Sequence, residues 1–126
     1  MSSHLIDSDI LISYLKGKER AVSLMGELCR DGIPSVSSLS YFEIWASVLP
    51  HEKRSVSRLF SSLEILSVDS AVAEQAGAYF NHYRSTGITL GRIDALIAAT
   101  AKCHDLILVT MNIKDFPMDD IKKQFL

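Results

Sequence analysis

The sequence predicts an α/β fold with a mostly parallel sheet, and three observations lead to this prediction. Short apolar segments, too short for helices, alternate with longer segments of helical periodicity. The last apolar segment, residues 105–110, is continuously apolar after its first residue, as in a strand buried on both faces. No repeat, linker or low-complexity tract interrupts the pattern. Together these features are typical of helices packed on both faces of one sheet.

Each element has a local signal in the sequence. Residues 30–32 stop helix 19–29, with Gly32 suited to a left-handed cap, and Asp69 and Ser70 stand where they could cap helix 71–85. Strands are predicted at residues 5–6, 33–36, 64–69 and 105–110. Helices are predicted at residues 10–15, 19–29, from 38 to Pro50, 51–63, 71–85 and from about 91 onward. The third helix carries one apolar stripe, consisting of Leu39, Phe42, Ala46 and Leu49.

Composition restricts the class of protein. The chain has 126 residues, 48% of them hydrophobic and 22% charged, so we expect one domain over residues 1–126. The formal net charge is −2, which excludes a general basic field for nucleic acid, so such a partner must be bound locally or through a metal. Cys29 and Cys103 lack zinc-site spacing and suit a reducing cytoplasm. No leader or membrane anchor is expected.

An aspartate follows the first strand. Asp7 is at the predicted carboxyl end of that strand, where open α/β sheets bind ligands, and Asp9 comes two residues later. The alternative for both residues is helix capping, because a side-chain oxygen can accept a hydrogen bond from a free backbone N–H. For Asp9, we expect capping of the first helix rather than a role as a water-mediated outer ligand.

Two further carboxylates are in apolar helices. Glu43 is one position off the apolar stripe of the third helix, where it could also simply reach solvent. Asp94 begins a helix that is apolar on nearly every side, so we expect that helix to be interior. Stabilisation of the helix dipole would explain Asp94, but small residues share its face, which favours a functional role.

The last strand is followed by a polar loop. Thr110, Asn112 and Asp115 come after a parallel strand and should reach the same sheet edge as Asp7. A turn with local side-chain hydrogen bonds is the alternative explanation of these three residues.

Four segments in order resemble the motifs of the PIN-domain family, and within it the VapC-type toxins of prokaryotic toxin–antitoxin pairs. The matching segments are residues 5–12, 40–44, 91–101 and 109–116. The resemblance covers nearly the whole chain and implies a three-layer α/β/α sandwich with four or five short strands.

The resemblance also implies an activity and a site. It implies a Mg²⁺- or Mn²⁺-dependent endoribonuclease acting on structured RNA such as tRNA or rRNA, forming a homodimer inhibited by a small antitoxin. The implied acidic quartet is Asp7, Glu43, Asp94 and Asp115, with Thr110, Asn112 and Asp9 in support.

Physical chemistry favours the same site. Several carboxylates in one crevice repel one another unless a cation compensates, and oxygen ligands suit Mg²⁺ or Mn²⁺ better than zinc. As a hypothesis, Asp7 and Asp94 are the principal ligands, while Glu43 and Asp115 position water or a second ion. A water activated in this way would leave a 5′-phosphate and a 3′-hydroxyl.

Two other functions compete with this hypothesis. The first is a PIN-like module without catalytic activity that only binds RNA or protein. The second is a haloacid-dehalogenase-like phosphatase with Asp7 as nucleophile and Asp9 as acid/base. That mechanism needs later acidic ligands on a loop, whereas Asp94 is in a helix.

Some expectations concern peripheral residues. Arg84 and Arg92 are candidate phosphate contacts, although surface solubility would also explain them. Tyr41 and Trp45 are expected to fill the core rather than a partner interface. His4 and His104 have no partner histidine at ligand spacing and are expected to be structural.

The C-terminal part departs from the family pattern at two points. The chain stops at Leu126, which leaves little room for a terminal strand. His104 and Asp105 stand where a helix-ending glycine is common, and aspartate tolerates the left-handed conformation required there.

Overall fold

A computed structural model describes residues 3–126. Five short strands alternate with six α-helices in this part of the chain. The strands are β1 (His4–Ile6), β2 (Ser35–Ser37), β3 (Glu64–Leu66), β4 (Ile107–Thr110) and β5 (Lys123–Phe125). The helices are α1 (Ser8–Leu15), α2 (Glu19–Arg30), α3 (Ser38–Ser47), α4 (Lys53–Ser61), α5 (Ser70–Ser85) and α6 (Arg92–Cys103). Short 3₁₀ turns cover Pro50–Glu52 and Ile113–Asp115.

The strands form one sheet in the order β3-β2-β1-β4-β5, and every neighbouring pair is parallel. β1 is therefore central, and its backbone continues pairing with β4 through the Asp7 N–H, which donates to the Val109 carbonyl at 2.9 Å. The carboxyl ends of β1 and β4 meet at one edge, as predicted for a parallel α/β sheet.

The expectation that little room remains for a terminal strand is wrong. Residues 123–125 pair with β4. The crossover has about the dozen residues that a parallel connection requires, although it contains no α-helix. Phe116, Met118 and Ile121 are buried and fix this crossover to the core, and the Lys123 ammonium donates to the Phe116 and Met118 carbonyls at 2.9 and 2.8 Å.

Two apolar clusters cover the two faces of the sheet. One combines α5 and α6 with Leu5 and Leu108, and the other combines α1, α2 and α4 with Ile6 and Val109. Alternate residues of β1 and β4 thus point to opposite layers, which is the period of a strand. This arrangement confirms the three-layer α/β/α sandwich.

The predicted apolar stripe of α3 is not its buried face. Phe42 is 68% exposed and Leu49 is 53% exposed, whereas Ser40 and Ile44 are buried. Two apolar faces compete on this helix. Tyr41 and Trp45 decide between them because both rings pack near Phe60 of α4, with centroids 4.5 and 6.1 Å away. Core filling by these two aromatics is as expected.

Element ends follow their caps. The Asp69 carboxylate accepts from the Val72 N–H at 2.9 Å and caps α5, as predicted. Asp105 has a φ of 52°, so it does adopt the left-handed conformation after α6. β3 and β4 are shorter than predicted. Over residues 3–126, no helix has the length and apolarity needed to cross a membrane.

Candidate active site

Asp7 joins β1 to α1 and serves as the N-cap of that helix. Its Oδ1 accepts from the Ser8 N–H at 2.8 Å, and its Oδ2 accepts from the Thr110 hydroxyl at 3.0 Å. The helix thus begins at Ser8, earlier than the predicted start near Ile10. Asp7 is held by both its own helix and the end of β4, so its carboxylate has a fixed position at the sheet edge.

Asp9 does not cap α1, contrary to the expectation, because Asp7 already occupies the cap position. Its Oδ1 accepts from the Ile10 N–H at 2.7 Å. Its Oδ2 faces the loop after β4 and accepts from the Asn112 side-chain amide at 2.9 Å and the Met111 N–H at 3.1 Å. The structure therefore places Asp9 as a clamp between the first turn of α1 and the loop after β4.

Thr110 connects the two aspartates. Its buried hydroxyl is 3.0 Å from the Asp7 carboxylate and 3.3 Å from that of Asp9, and it accepts from the Asn112 N–H at 3.1 Å. Asn112 is the N-cap residue of the 3₁₀ turn that contains Asp115, and its backbone carbonyl accepts from the Asp115 N–H at 3.0 Å. The predicted supporting residues Thr110, Asn112 and Asp9 are thus brought together with Asp7 in one network.

Asp94 is in the first turn of α6 and is half-buried. A Cβ atom built on Gly91 would be 3.1 Å from the Asp94 Oδ2, and its three nearest atoms all belong to the Asp94 side chain. Such a contact is tighter than side chains normally make. Glycine at position 91 therefore leaves the space that the Asp94 carboxylate occupies.

The remaining two carboxylates are more exposed. Glu43 is on α3, and Asp115 is in the 3₁₀ turn after β4. Burial is the main reason why the pKa of Asp94 is raised, and the charges of Asp115, Glu43 and Asp9 raise it further. The four members of the predicted quartet therefore share one electrostatic environment, although they come from four separate segments.

Asp7 is the most perturbed of these acids. Burial raises its pKa to about 6, with a further rise from the nearby charge of Asp9 and a smaller one from Asp94. The hydrogen bonds from Thr110 and the Ser8 N–H act in the opposite direction. A carboxyl group with a pKa this high is partly protonated near neutral pH in the absence of a compensating cation.

The donor set fits a hard divalent cation. Asp7 and Asp94 supply carboxylate oxygens, the charge of Asp94 acts on Asp7, and both have raised pKa values that a positive charge would lower. Within residues 3–126, no three acidic, histidine or cysteine side chains are close enough to enclose an ion in their present rotamers. Mg²⁺ is commonly bound by one or two carboxylates and several waters, so Asp7 and Asp94 alone form a sufficient protein donor set.

Sequence reasoning missed two kinds of participant. The backbone N–H groups of Ser8 and Met111 orient Asp7 and Asp9, and no residue type signals such donors. The sequence places Gly91 at the start of a helix and of the third motif segment, but gives it no role toward Asp94. Its position just before an acidic first turn is a sequence signal, but only the close approach to Asp94 shows its importance.

Other candidate residues are outside this network. Arg84 and Arg92 both contact the Phe80 ring by cation–π interactions. Ser3 and His4 are joined through the Ser3 hydroxyl and the His4 Nδ1 at 2.9 Å. His104 forms the C-cap of α6.

The sheet is parallel throughout, and carboxylates follow β1 and β4 and lie on α3 and α6. This combination of fold and site indicates the class of protein. The PIN domain family model matches residues 4–119, and the chain belongs to that family. The resemblance found in the sequence is confirmed.

More particular similarities follow. The chain is 35% identical over 122 residues to Ribonuclease VapC10 of Mycobacterium tuberculosis, covering 96% of this chain and 92% of that protein. It superimposes with a TM-score of 0.87 on VapBC2 of Rickettsia felis bound to a promoter DNA fragment, at 21% identity, covering 100% of this chain and 99% of that one. A toxin–antitoxin complex from Klebsiella pneumoniae gives a TM-score of 0.81 at 26% identity, covering 94% and 95%.

Proposed function

We propose that this protein is a metal-dependent endoribonuclease of the VapC toxin type that cleaves structured RNA. The observation that carries the proposal is the shared acidic site: Asp7 and Asp94 both have raised pKa values, and Asp9, Glu43 and Asp115 contribute to them. Neighbouring carboxylates repel one another, and clusters that accept this repulsion are typical of divalent cation sites. The relationship to a named ribonuclease at 35% identity supports the same activity.

In the proposed site, Asp7 and Asp94 hold Mg²⁺ or Mn²⁺. The ion, when bound, supplies positive charge for phosphate oxygens and lowers the pKa of water. Glu43 and Asp115 are the more exposed carboxylates, and in this proposal they would orient the attacking water and accept its proton. The hydrogen bonds of Thr110, Asn112 and Asp9 fix the position of Asp7 relative to the loop that contains Asp115.

The clamp role of Asp9 argues against the phosphatase alternative. An acid/base aspartate must exchange protons with substrate, but both Asp9 oxygens already accept hydrogen bonds from Ile10, Met111 and Asn112. Proton uptake on either oxygen would place an O–H donor against an N–H group from which that oxygen now accepts.

A protein partner belongs to the same proposal. We propose that a cognate antitoxin inhibits the enzyme, since the similar Klebsiella structure is a toxin–antitoxin complex. We also propose that residues 1–126 form a single domain, that the protein acts as a homodimer and that it acts in the cytoplasm, where its RNA substrate is found.

The test is cleavage of total cellular RNA by the purified protein with Mg²⁺ or Mn²⁺, compared with EDTA. Asp94→Asn is tested beside it, and fragment ends are mapped. Asp31→Asn is the matched control because Asp31 is an exposed carboxylate at the end of α2. We expect discrete cuts that require both the ion and Asp94, with 5′-phosphate and 3′-hydroxyl ends, while the Asp31 variant cleaves normally.

Three outcomes would contradict the proposal. Cutting that persists in EDTA would exclude the metal role, and 2′,3′-cyclic phosphate ends would exclude attack by water. Absence of any cutting by folded protein that binds RNA would favour the module without catalytic activity.

A further inference from the structure

Phe80 on α5 has two arginine side chains against its ring. The Arg92 Cζ is 4.8 Å from the ring centroid and the Arg84 Cζ is 5.4 Å from it. Arg84 is one turn along α5, whereas Arg92 begins α6. One half-buried aromatic ring therefore holds two guanidinium groups from different elements in defined positions.

The two guanidinium groups border separate depressions of the surface. Arg92 lines a cavity of about 270 Å³ between α5 and α6, and Arg84 lines one of about 360 Å³ beside residues 87–90. Phe80 contributes to both cavities. The ring is thus the wall between two concave, solvent-accessible spaces, each with an arginine at its border.

The charges of both arginines are available to a ligand. Among the residues that the structure describes, neither arginine is within ion-pair distance of a carboxylate, since the single ion pair found there joins Lys102 and Asp120. The polar contact of Arg84 is to the Asn81 amide oxygen at 2.9 Å, which orients the guanidinium without neutralising it. An arginine stacked on a ring keeps its N–H donors free at the edge.

This pair is next to the acidic site. Arg92 is two residues before Asp94, and Gly91 lies directly against the Asp94 carboxylate. The carboxylates of the acidic site would repel RNA phosphates wherever a bound cation does not neutralise them. Positive groups immediately beside the site would offset this repulsion, and the chain as a whole cannot, because its net charge is −2.

We propose that Phe80, Arg84 and Arg92 form a phosphate-binding platform that carries the RNA backbone toward the acidic site. The inference rests on the proposed ribonuclease function and extends it to substrate positioning. Each arginine binds a phosphate oxygen pair with its N–H edge, and Phe80 acts as a positioning residue that keeps both guanidinium groups in place.

The experiment measures binding separately from cleavage. A short, fluorescently labelled RNA hairpin is titrated with protein carrying Asp94→Asn, and the dissociation constant is measured by anisotropy over a range of salt concentrations. Arg84→Gln, Arg92→Gln and Phe80→Leu are added to that background. Arg30→Gln is the matched control, since Arg30 is an exposed arginine on α2, in the opposite layer.

Each arginine variant should weaken binding about tenfold, as expected for a lost hydrogen bond to a charged group. Each should also reduce the slope of log affinity against log salt by about 0.7–0.9, the value for one phosphate contact. Phe80→Leu should weaken binding with an unchanged slope, because both charges remain. Arg30→Gln should change neither quantity.

Unchanged affinity and slope in both arginine variants would overturn the platform. A change in oligomeric mass with RNA binding intact would also overturn it, by assigning the arginines to a protein contact. If the parent protein cleaves RNA and the arginine variants bind normally, this inference fails while the nuclease proposal stands. If nothing is cleaved, the dissociation constants and salt slopes of the arginine variants still test whether the platform binds RNA. Thermal unfolding of Phe80→Leu shows whether its loss of affinity reflects misfolding.

Discussion

The Asn112 side-chain amide donates to the Asp9 carboxylate at 2.9 Å, although the two residues are 103 positions apart in the chain. This contact, with the Met111 N–H on the same oxygen, attaches the loop after β4 to the first turn of α1. The relative position of Asp7 and the Asp115 turn depends on that attachment.

Removing the amide should weaken both the fold and the site. We expect Asn112→Ala to lower the free energy of unfolding by about 1 kcal/mol, the usual value of one hydrogen bond. The rate of RNA cleavage should fall by at least an equal amount when it is expressed as a free energy. Asn112→Asp should be more damaging, because it places a second carboxylate against Asp9. Urea unfolding and cleavage rates measure the two effects. An alanine variant with unchanged stability and cleavage would show that the clamp is dispensable.

The raised pKa of Asp7 gives the metal-free protein a distinct pH dependence. Its folded-state pKa of about 6 exceeds the ordinary value of 3.8, so the folded state holds the proton more tightly. This contribution to stability is complete below about pH 4 and disappears as pH rises through about 6. We expect Asp7→Asn in EDTA to match the parent at low pH and to be more stable above about pH 7, by roughly 2–3 kcal/mol.

Chemical unfolding measured across this pH range checks the prediction, with Asp31→Asn as the control variant. Asp7→Asn should abolish RNA cleavage at the same time as it stabilises the protein. A variant that is equally destabilised at every pH would instead mean that Asp7 acts mainly as the cap of α1.

Gly91 should matter because of the carboxylate beside it. Gly91→Ala places a Cβ atom 3.1 Å from the Asp94 Oδ2, so the carboxylate must move by a few tenths of an ångström. We expect reduced cleavage and weaker Mn²⁺ binding, measured by calorimetry, with little change in unfolding temperature. Gly26→Ala on α2 is the control, because nothing lies near its added methyl group. Equal activity of the two variants would contradict this role of Gly91.

Ser40 on α3 and Ser37, the N-cap residue of that helix, form a contrasting pair. The buried Ser40 hydroxyl has no hydrogen-bond partner within residues 3–126, whereas the buried Ser37 hydroxyl caps the helix by accepting from the Leu39 N–H at 3.1 Å. Ser40→Ala should therefore stabilise the protein by about 1 kcal/mol, and Ser37→Ala should destabilise it by a similar amount. Urea unfolding distinguishes them. Destabilisation by Ser40→Ala would imply a buried partner for its hydroxyl.

Local chemistry explains how much of the fold was predictable. α2 and α5 have helical periodicity and end signals within their own residues, so their bounds were predicted to within a residue. β5 has no comparable signal because a three-residue strand is defined by its partner β4. The buried face of α3 was wrong for a similar reason: Phe60 of α4 selects it by contact with Tyr41 and Trp45.

The site likewise has some features that the sequence predicts and others that only the tertiary structure determines. Sequence alone predicted its residue types and the sheet edge, because Asp7 and Asp115 follow strands, Thr110 ends one and Asp94 is at the start of a helix. Tertiary structure decided that Asp7, not Asp9, caps α1, that Asp9 binds the loop after β4, and that Gly91 makes room for Asp94. These features depend on the strand order and on distances between segments far apart in the chain. Periodicity and capping preferences act over only a few residues, so they cannot specify such distances.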